Sequence, residues 1–173
     1  RRVYPDLGVK LPEGVTIVSL TEALAGAVAG GRLPLPAYDD TPIFVHDSRA
    51  ATLLADELPI AEAIQPGYTG DESKLGRGAV FDTPRQLVDA MGMQRQYSVW
   101  SRALSKSSGA DDGLFLTYPK LAAALAKARL AEAKRVGAEV LVAESLLDAI
   151  HLAQFADESG LTITWLPALL LKG

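Results

Sequence analysis

The chain contains no cysteine among its 173 residues and only two histidines, His46 and His151. The absence of thiols excludes disulfides, thiolate nucleophiles and the thiolate ligands that usually hold zinc or iron–sulfur clusters. A conventional zinc site would need carboxylates to complete its ligand set. We therefore predict no metal site and no cysteine-based active site within this chain.

The chain also lacks a membrane-length apolar run and an excess of positive charge. A membrane helix needs about 20 apolar residues, whereas the apolar tail at 166–171 is short and contains Pro167. The net charge of −4 provides no basic footprint for nucleic acid or an anionic membrane. The chain begins at Arg1 without an initiator Met or a signal-peptide pattern, which favours a piece of a longer protein, and the cytoplasm is the default location.

What the chain does contain is the pattern of one α/β domain spanning residues 1–173. Hydrophobic residues make up 49% of it, enough for a buried core. Short apolar runs predict five β-strands, at residues 15–20, 42–47, 95–100, 139–143 and 161–166. These runs are continuous rather than alternating and are separated by predicted helices, as in a parallel sheet covered on both faces. We predict a three-layer, doubly wound α/β fold with a mainly parallel sheet, Rossmann-like or flavodoxin-like.

Capping residues, prolines and glycines set the predicted helix boundaries. Helices are predicted at about residues 22–30, 49–58, 84–91, 119–136 and 145–159. Thr21 and Ser48 are the expected caps of the first two, and Thr83-Pro84 is the expected start of the third. The stretches 33–41 and 105–117 are predicted to be loops, and 59–78 is a long excursion, irregular or partly helical.

Four polar segments are expected at the carboxyl ends of the strands, where open parallel sheets bind their ligands. They are His46-Asp47-Ser48-Arg49, Leu75-Gly76-Arg77-Gly78, Ser107-Ser108-Gly109 and Glu144-Ser145-Leu146-Leu147. The first, third and fourth each follow a predicted strand, so together they could line one crevice.

Each segment also has a purely structural interpretation. His46 and Asp47 either line a site or only end a strand, with Asp47 or Ser48 capping the next helix. Arg77 and Arg85 either hold an anion near the helix start at Pro84 or form a solvated surface. No serine lies in a G-x-S-x-G elbow, and no nucleophile–base pair can be assembled, so independent catalysis is not expected.

The order and spacing of the motifs are more specific than any one of them. They run as His46-Asp47-Ser48-Arg49, Leu75-Gly76-Arg77, Phe81-Asp82-Thr83-Pro84-Arg85, Ser107-Ser108-Gly109, Tyr118-Pro119-Lys120-Leu121 and Glu144-Ser145-Leu146-Leu147. This series resembles the cysteine-rich CCG domain of heterodisulfide-reductase and glycolate-oxidase iron–sulfur proteins. That module has a strand ending in His-Asp-Pro-Cys, a Leu-Gly-Arg element, an aromatic-Asp-x-Pro-Arg helix start, a Cys-Cys-Gly loop, a Tyr-Pro-x-Leu helix start and a final Cys-Pro-x-Cys. The resemblance covers nearly the whole chain and is weakest over residues 50–72.

The family places cluster-ligating cysteines at positions where this chain has other residues. We call these the vestigial positions. Ser107 and Ser108 stand for the double cysteine, and Glu144 and Leu147 stand for the final pair. Between Ser108 and Glu144 lie 35 residues, which matches the family's spacing. None of these side chains is a usual cluster ligand, so the resemblance implies that no iron–sulfur cluster is held here.

The first vestigial position has two candidates. Counting from His46-Asp47 gives Arg49, followed by an insertion of about two dozen residues. Counting back from Leu75-Gly76-Arg77 gives Ser73, with 33 residues between it and Ser107.

The resemblance implies the C-terminal module of an iron–sulfur electron-transfer oxidoreductase subunit. Our leading hypothesis is a cluster-free scaffold or interface module, with iron–sulfur clusters only in neighbouring domains or subunits. Its location would be the cytoplasm, or the cytoplasmic membrane face through partners. One alternative is a repurposed pocket for a small anionic metabolite, with the possible ligand residues His46, Asp47, Arg77 and Arg85. Another is a site filled in by the insertion at 50–72, without a ligand.

Overall fold

The described chain forms a parallel sheet between two layers of helices. The computed structural model describes residue 8 and residues 10–52 and 71–171. Its helices and strands are α1 (Leu20–Ala29), β1 (Pro42–His46), α2 (Arg49–Thr52), α3 (Ala79–Ala90), β2 (Gln94–Gln96), α4 (Leu114–Thr117), α5 (Pro119–Arg135), β3 (Val140–Ala143), α6 (Leu146–Ala153), α7 (Ala156–Ser159), β4 (Thr162–Trp165) and α8 (Leu166–Leu170). Short 3₁₀ turns lie at Glu72–Leu75, Arg102–Leu104 and Asp111–Gly113.

The sheet order defines where a ligand site is expected. Its four described strands lie in the order β2-β1-β3-β4, and every neighbouring pair is parallel. The chain moves outward from β1 to β2, then returns to the other side of β1 for β3 and β4. The strand order therefore reverses between β1 and β3, as in flavodoxin-like sheets, and this switch point opens a crevice at the carboxyl ends of the two strands.

Successive side chains of the strands point to opposite faces of the sheet and form two separate hydrophobic cores, one on each face. On one face, Ile43, Val45 and Val142 pack against α1, α3 and α8. On the other, Phe44 and Leu141 pack against α5 and α6. Both faces of the central strands are therefore apolar, which explains the continuous hydrophobic runs in the sequence. The predicted three-layer, doubly wound α/β class is confirmed.

The predicted strand at 15–20 is wrong. Ser19 instead caps α1 through a capping box: its hydroxyl accepts from the Glu22 amide at 3.1 Å, and its own amide donates to the Glu22 carboxylate at 2.8 Å. Val15 and Val18 are about half exposed and are not in a strand of the described sheet. Thr21, the expected cap, is the second residue of the helix and is buried. The capping box was thus a better predictor of the local structure than the β-branched residues.

The predicted start of α3 at Thr83-Pro84 is also wrong. The helix begins at Ala79, directly after Gly78, whose φ of 143° is in the region open to glycine. Pro84 lies inside the helix. Burial of Phe81 and Val88, both 0% exposed, holds the helix against the sheet despite the proline. The predicted end was correct, since Gly92 follows with a φ of 80°.

The other predicted strands and helices are confirmed within a few residues, except where they fall on residues that are not described. The loop predicted at 105–117 is wrong in its second half, which contains the 3₁₀ turn Asp111–Gly113 and the helix α4. The strands predicted at 42–47, 139–143 and 161–166 are β1, β3 and β4, whereas the one predicted at 95–100 ends at Gln96. The helix predicted at 49–58 begins at Arg49, but its part beyond Thr52 lies outside the described residues, as do residues 59–70 of the long excursion.

Two differences concern the C-terminal third of the chain. The helix predicted at 145–159 is capped by Ser145 as expected but divides into α6 and α7. The residues after the last predicted strand form α8, which begins at Leu166, the residue predicted to end that strand, and buries Leu166 and Leu170. No helix in the described ranges is long and apolar enough to cross a membrane.

Candidate functional site

A pocket lies at the switch point, as the sheet order predicts. It has a volume of about 450 Å³, within the about 300–1,000 Å³ typical of small-molecule sites. Three segments meet there: the turn after β1, the loop before α4 and the start of α6. Its lining residues are Ser48, Arg49, Ala50, Thr52, Ala110, Asp111, Ser145, Leu147 and Asp148. We call it the switch-point pocket.

The structure brings together four of the six vestigial positions around this pocket. Arg49 and Leu147 line it directly. The Ser107 hydroxyl donates to Asp111, and the Ser108 hydroxyl donates to Asp148, so both serines hold carboxylates of the lining. Of the two candidates for the first vestigial position, Arg49 is therefore the one at the pocket.

Ser73 and Glu144 lie elsewhere. Ser73 belongs to the 3₁₀ turn before α3, where its hydroxyl donates to Asp71 at 2.8 Å. Glu144 follows β3, but its carboxylate accepts from the Thr21 hydroxyl at 2.7 Å, on the α1 side of the sheet. Neither residue is part of the pocket lining.

The four residues proposed for an anion pocket do not line the switch-point pocket. Arg77 is exposed. Asp47 and Arg85 instead form a buried ion pair with both guanidinium Nη atoms on the carboxylate, at 2.7 and 2.9 Å. The Nε of Arg85 donates to Glu72 at 2.6 Å. The charge of Arg85 is thus already matched by two carboxylates. Its bonds to Asp47, directly after β1, join α3 to the sheet.

Electrostatics keep this ion pair charged. Burial alone would raise the pKa of Asp47, but the charge and hydrogen bonds of Arg85, together with the Arg102 amide, hold it below the ordinary 3.8. Burial likewise works against the charge of Arg85, and the carboxylates of Asp47 and Glu72 outweigh it and raise the pKa of the guanidinium. The pair therefore stays ionised in the interior.

His46 belongs to a second buried network, centred on Arg129 of α5. Arg129 Nε donates to His46 Nδ1 at 3.0 Å, its Nη atoms reach Glu132 and the Ser105 hydroxyl, each at 3.0 Å, and its guanidinium lies 4.5 Å from the ring centre of Phe44. Because a guanidinium can only donate, His46 Nδ1 is an acceptor and the ring proton lies on Nε2. That nitrogen is buried, has no hydrogen-bond partner among the described residues and lies 3.8 Å from Asp148 Oδ1.

Asp148 is the most unusual residue of the pocket lining. It is only 2% exposed, its Oδ1 accepts from the Ser108 hydroxyl, and its backbone amide donates to the Ser145 hydroxyl at 3.3 Å. Its Oδ2 is buried and has no hydrogen-bond partner within the described part of the chain. Burial raises the pKa of Asp148, but the His46 ring and the hydroxyls of Ser108 and Ser145 outweigh burial and hold it below 3.8. The wall of the pocket thus contains an ionised carboxylate, and its Oδ2 is buried rather than open to the pocket.

Sequence reasoning missed Asp148 and Arg129. The signal for Arg129 was its spacing: Ala122, Ala126, Arg129 and Ala133 share the buried face of α5. An arginine on such a face requires an acceptor in the core. Asp148 lies three residues after the cap Ser145, where an acidic residue is read first as support for the helix start.

Glu144 gives a prediction with a pH dependence. Burial raises the pKa of its carboxyl, more than the Thr21 hydrogen bond lowers it. An acid with a raised pKa in the folded state contributes stability at low pH that is lost as the pH rises through that pKa. We expect Glu144→Gln, which keeps an acceptor for Thr21, to gain stability relative to the wild type as the pH rises. Urea denaturation at about pH 4 and about pH 8 measures the difference.

The matched control is Glu139→Gln, at an exposed position directly before β3, at the opposite end of the strand that Glu144 follows. Its stability relative to the wild type should stay nearly constant over the same pH interval. Equal behaviour of the two variants would contradict the burial argument for Glu144.

No protein-family model matches the chain, and neither a curated protein nor a solved structure is significantly similar to it. Among the described residues there is also no group of three or more histidines and carboxylates placed to hold a metal ion. The family assignment therefore stays a prediction from the ordered motifs.

Proposed function

We propose that this chain is a cluster-free CCG-type module of an iron–sulfur oxidoreductase, acting in the cytoplasm as a scaffold or interface. The single observation that supports it most is the meeting of Arg49, the Ser107-Ser108-Gly109 loop and Leu147 at the switch-point pocket. These are sites at which the resemblance assigns cluster ligands. Residues separated by nearly one hundred positions along the chain thus share one place in the fold.

The geometry of the serine loop supports the same interpretation. Gly109 has a φ of 89°, and a Cβ at this position would lie 2.3 Å from the Ala122 carbonyl oxygen of α5. Only glycine allows this approach, which explains a glycine directly after two vestigial positions. The Ser108 hydroxyl meanwhile ties the loop to Asp148 of α6. A loop that would have presented two thiolates is instead fixed by hydrogen bonds.

The side chains at the vestigial positions favour a structural role for this chain over a role in electron transfer. Serine alcohols are weakly acidic, leucine has no donor atom, and arginine is a cation. In this proposal the redox centres lie in neighbouring domains or subunits, and this chain contributes shape and contact surface.

Exposed apolar side chains offer a contact surface next to the pocket. Leu146, Leu147 and Ile150 of α6 are each about half exposed, and Leu121 of α5 is 52% exposed. His151 contacts the Ala122 carbonyl at 3.4 Å, so the two helices are neighbours. Apolar side chains grouped in this way are typical of protein contact sites. We assign the contact to the cluster-bearing part of the same oxidoreductase.

The test is the iron and acid-labile sulfide content, with the visible absorption spectrum, of this chain after anaerobic reconstitution with iron and sulfide. The chain should stay colourless and bind no stoichiometric cluster. The complex isolated without oxygen from the native cells through a tag on this chain should contain both iron and sulfide. A cluster in the isolated chain would overturn the proposal, as would a native complex without iron.

A variant pair tests the contact surface. Ile150→Lys should release the iron-bearing partner from the isolated complex, because it places a charge in an apolar contact. Leu20→Lys, on the exposed side of α1, should leave the iron content unchanged. Equal retention of iron by both variants would contradict the assignment of the α6 surface.

A further inference from the structure

His46 lies between a cation and an anion inside the protein, an arrangement that goes beyond the proposed function and does not depend on it. The ring is 1% exposed, at the end of β1. Arg129 of α5 donates from Nε to His46 Nδ1 at 3.0 Å. The other ring nitrogen, Nε2, lies 3.8 Å from Asp148 Oδ1 of α6 and has no hydrogen-bond partner among the described residues. The ring thus has a charged donor on one nitrogen and an anion near the other.

The bond from Arg129 fixes the protonation state of the ring. A guanidinium only donates hydrogen bonds, so His46 Nδ1 must be without a proton and the single ring proton must lie on Nε2. A second proton would go to Nδ1, where it would face the N–H group of Arg129 directly. The doubly protonated ring and the bond from Arg129 therefore exclude each other.

A second proton would also give His46 a new partner. Burial raises the pKa of Asp148, but the His46 ring and the Ser108 hydroxyl help to hold it below 3.8, so this carboxylate stays charged in mild acid. Its Oδ2 is buried without a hydrogen-bond partner in the described part of the chain, so it can accept one more donor. An imidazolium supplies that donor from within the protein. Closing the 3.8 Å gap to a charge-assisted hydrogen bond needs a movement of about 1 Å.

Arg129 also ties the loop between β2 and α4 to α5. Its Nη1 donates to the Trp100 carbonyl at 2.8 Å, and its Nη2 donates to the Ser105 hydroxyl at 3.0 Å. The Ser105 hydroxyl in turn donates to the Asp47 carbonyl at 2.8 Å. We call residues 98–105 the Arg129-bound loop. It ends two residues before the serine loop of the switch-point pocket, so its position affects the pocket wall.

The remaining charged groups around His46 do not hold Arg129 firmly in place. Asp47 follows His46 in the chain, but its carboxylate is already paired with Arg85 of α3. Glu132 of α5 accepts from Arg129 at 3.0 Å. Burial nevertheless lowers the pKa of the Arg129 guanidinium by more than Glu132 and Asp47 raise it. The interior therefore disfavours this cation, and Arg129 is the partner expected to move when His46 gains a charge.

We propose that His46, Arg129 and Asp148 form an acid-sensitive latch, in which protonation of His46 moves the ring from Arg129 to Asp148 and releases residues 98–105 from α5. The two states differ by one proton and one exchanged partner, as in other histidine switches. The released loop leads into the serine loop, so the latch couples acidity to the wall of the switch-point pocket.

The test is an NMR pH titration of the full ¹⁵N-labelled chain, in which the histidine ring nitrogens and the amides of Trp100 and Ser105 are followed together. At neutral pH the His46 ring should carry a proton on Nε2 and none on Nδ1. As the pH falls, the second ring proton and the shifts of both loop amides should share one midpoint. Hydrogen exchange of the loop amides, corrected for its intrinsic pH dependence, should rise at least about tenfold across this transition.

Two variants identify which histidine acts. His46→Asn keeps an acceptor near the position of Nδ1 but takes up no proton, so the acid transition of the Arg129-bound loop should be lost. His151→Gln removes the other histidine and should retain the transition.

Three results would overturn the proposal: a second proton on His46 without a change at Trp100 and Ser105, a loop transition that persists in His46→Asn, or protonation of His46 only as the whole chain unfolds. If His46→Asn does not fold, the midpoints in the wild type decide, and unequal midpoints contradict the latch.

Discussion

Replacing Arg85 with leucine is expected to destabilise the fold by about 3–5 kcal/mol, because it leaves the buried carboxylate of Asp47 without its ion-pair partner. Asp47 is 3% exposed and would lose both of its guanidinium bonds, retaining only the Arg102 amide at 2.6 Å. Glu72 is 9% exposed and would lose the Arg85 Nε bond but keep Arg95 and the ion pair with Arg102 Nε at 3.8 Å. Urea denaturation followed by circular dichroism measures the loss in the free energy of unfolding.

The matched control is Lys127→Ala, which breaks an exposed pair. Lys127 Nζ lies 2.7 Å from Glu158, and both side chains are at least half exposed. Solvent screens such a pair, so its loss should cost at most about 1 kcal/mol. If Arg85→Leu costs no more than Lys127→Ala, the buried network does not hold α3 to the sheet.

The pH dependence of the Arg85→Leu effect provides a second measurement. In the wild type, the lowered pKa of Asp47 means that its ionised form is favoured in the folded state. The stability from this group is present above the ordinary value of 3.8 and is lost as the pH falls through the folded pKa. The cost of Arg85→Leu should therefore shrink towards low pH, where a protonated Asp47 no longer carries an uncompensated charge. A cost that is independent of pH would point to lost packing instead.

The sheet could be predicted from the sequence because its central strands are buried on both faces. Residues 42–45 and 140–143 are apolar without interruption, and that pattern has few interpretations once helices flank it. The prediction of a strand at 15–20 was wrong because it relied on the β propensity of these residues alone. They form no strand of the described sheet. The capping box of Ser19 and Glu22 was visible in the sequence and was the better predictor.

The location of the site could be predicted, but not its chemistry. The motifs after β1 and β3 led to the switch point because the carboxyl ends of parallel strands meet there. Which polar side chains face the pocket depends on contacts between distant residues. Arg129 reaches His46 across 83 positions of the sequence, and Ser108 reaches Asp148 across 40. No local pattern encodes such pairings, so the sequence left open whether His46 and Asp47 line a site or only end a strand, and the structure places both in buried networks.

Gly109→Ala is expected to be the second most damaging substitution, with a cost of about 2–5 kcal/mol. A φ of 89° strains any residue with a Cβ by about 1–2 kcal/mol. The new methyl group would also lie 2.3 Å from the Ala122 oxygen and 2.8 Å from its carbonyl carbon, which are backbone atoms that cannot rotate away. Overpacking of this kind adds about 1–3 kcal/mol. Thermal and urea denaturation of the variant measure the sum.

Gly137→Ala separates the two contributions. Gly137 follows α5 with a φ of 87°, nearly that of Gly109, but nothing lies within 4 Å of its added Cβ. It should therefore lose only the about 1–2 kcal/mol of backbone strain. The difference between the two variants isolates the contact of the serine loop with α5, on which the position of Ser108 beside Asp148 depends. Equal costs would show that the loop is free to move away from α5, and the lining of the switch-point pocket would then not be fixed by Gly109.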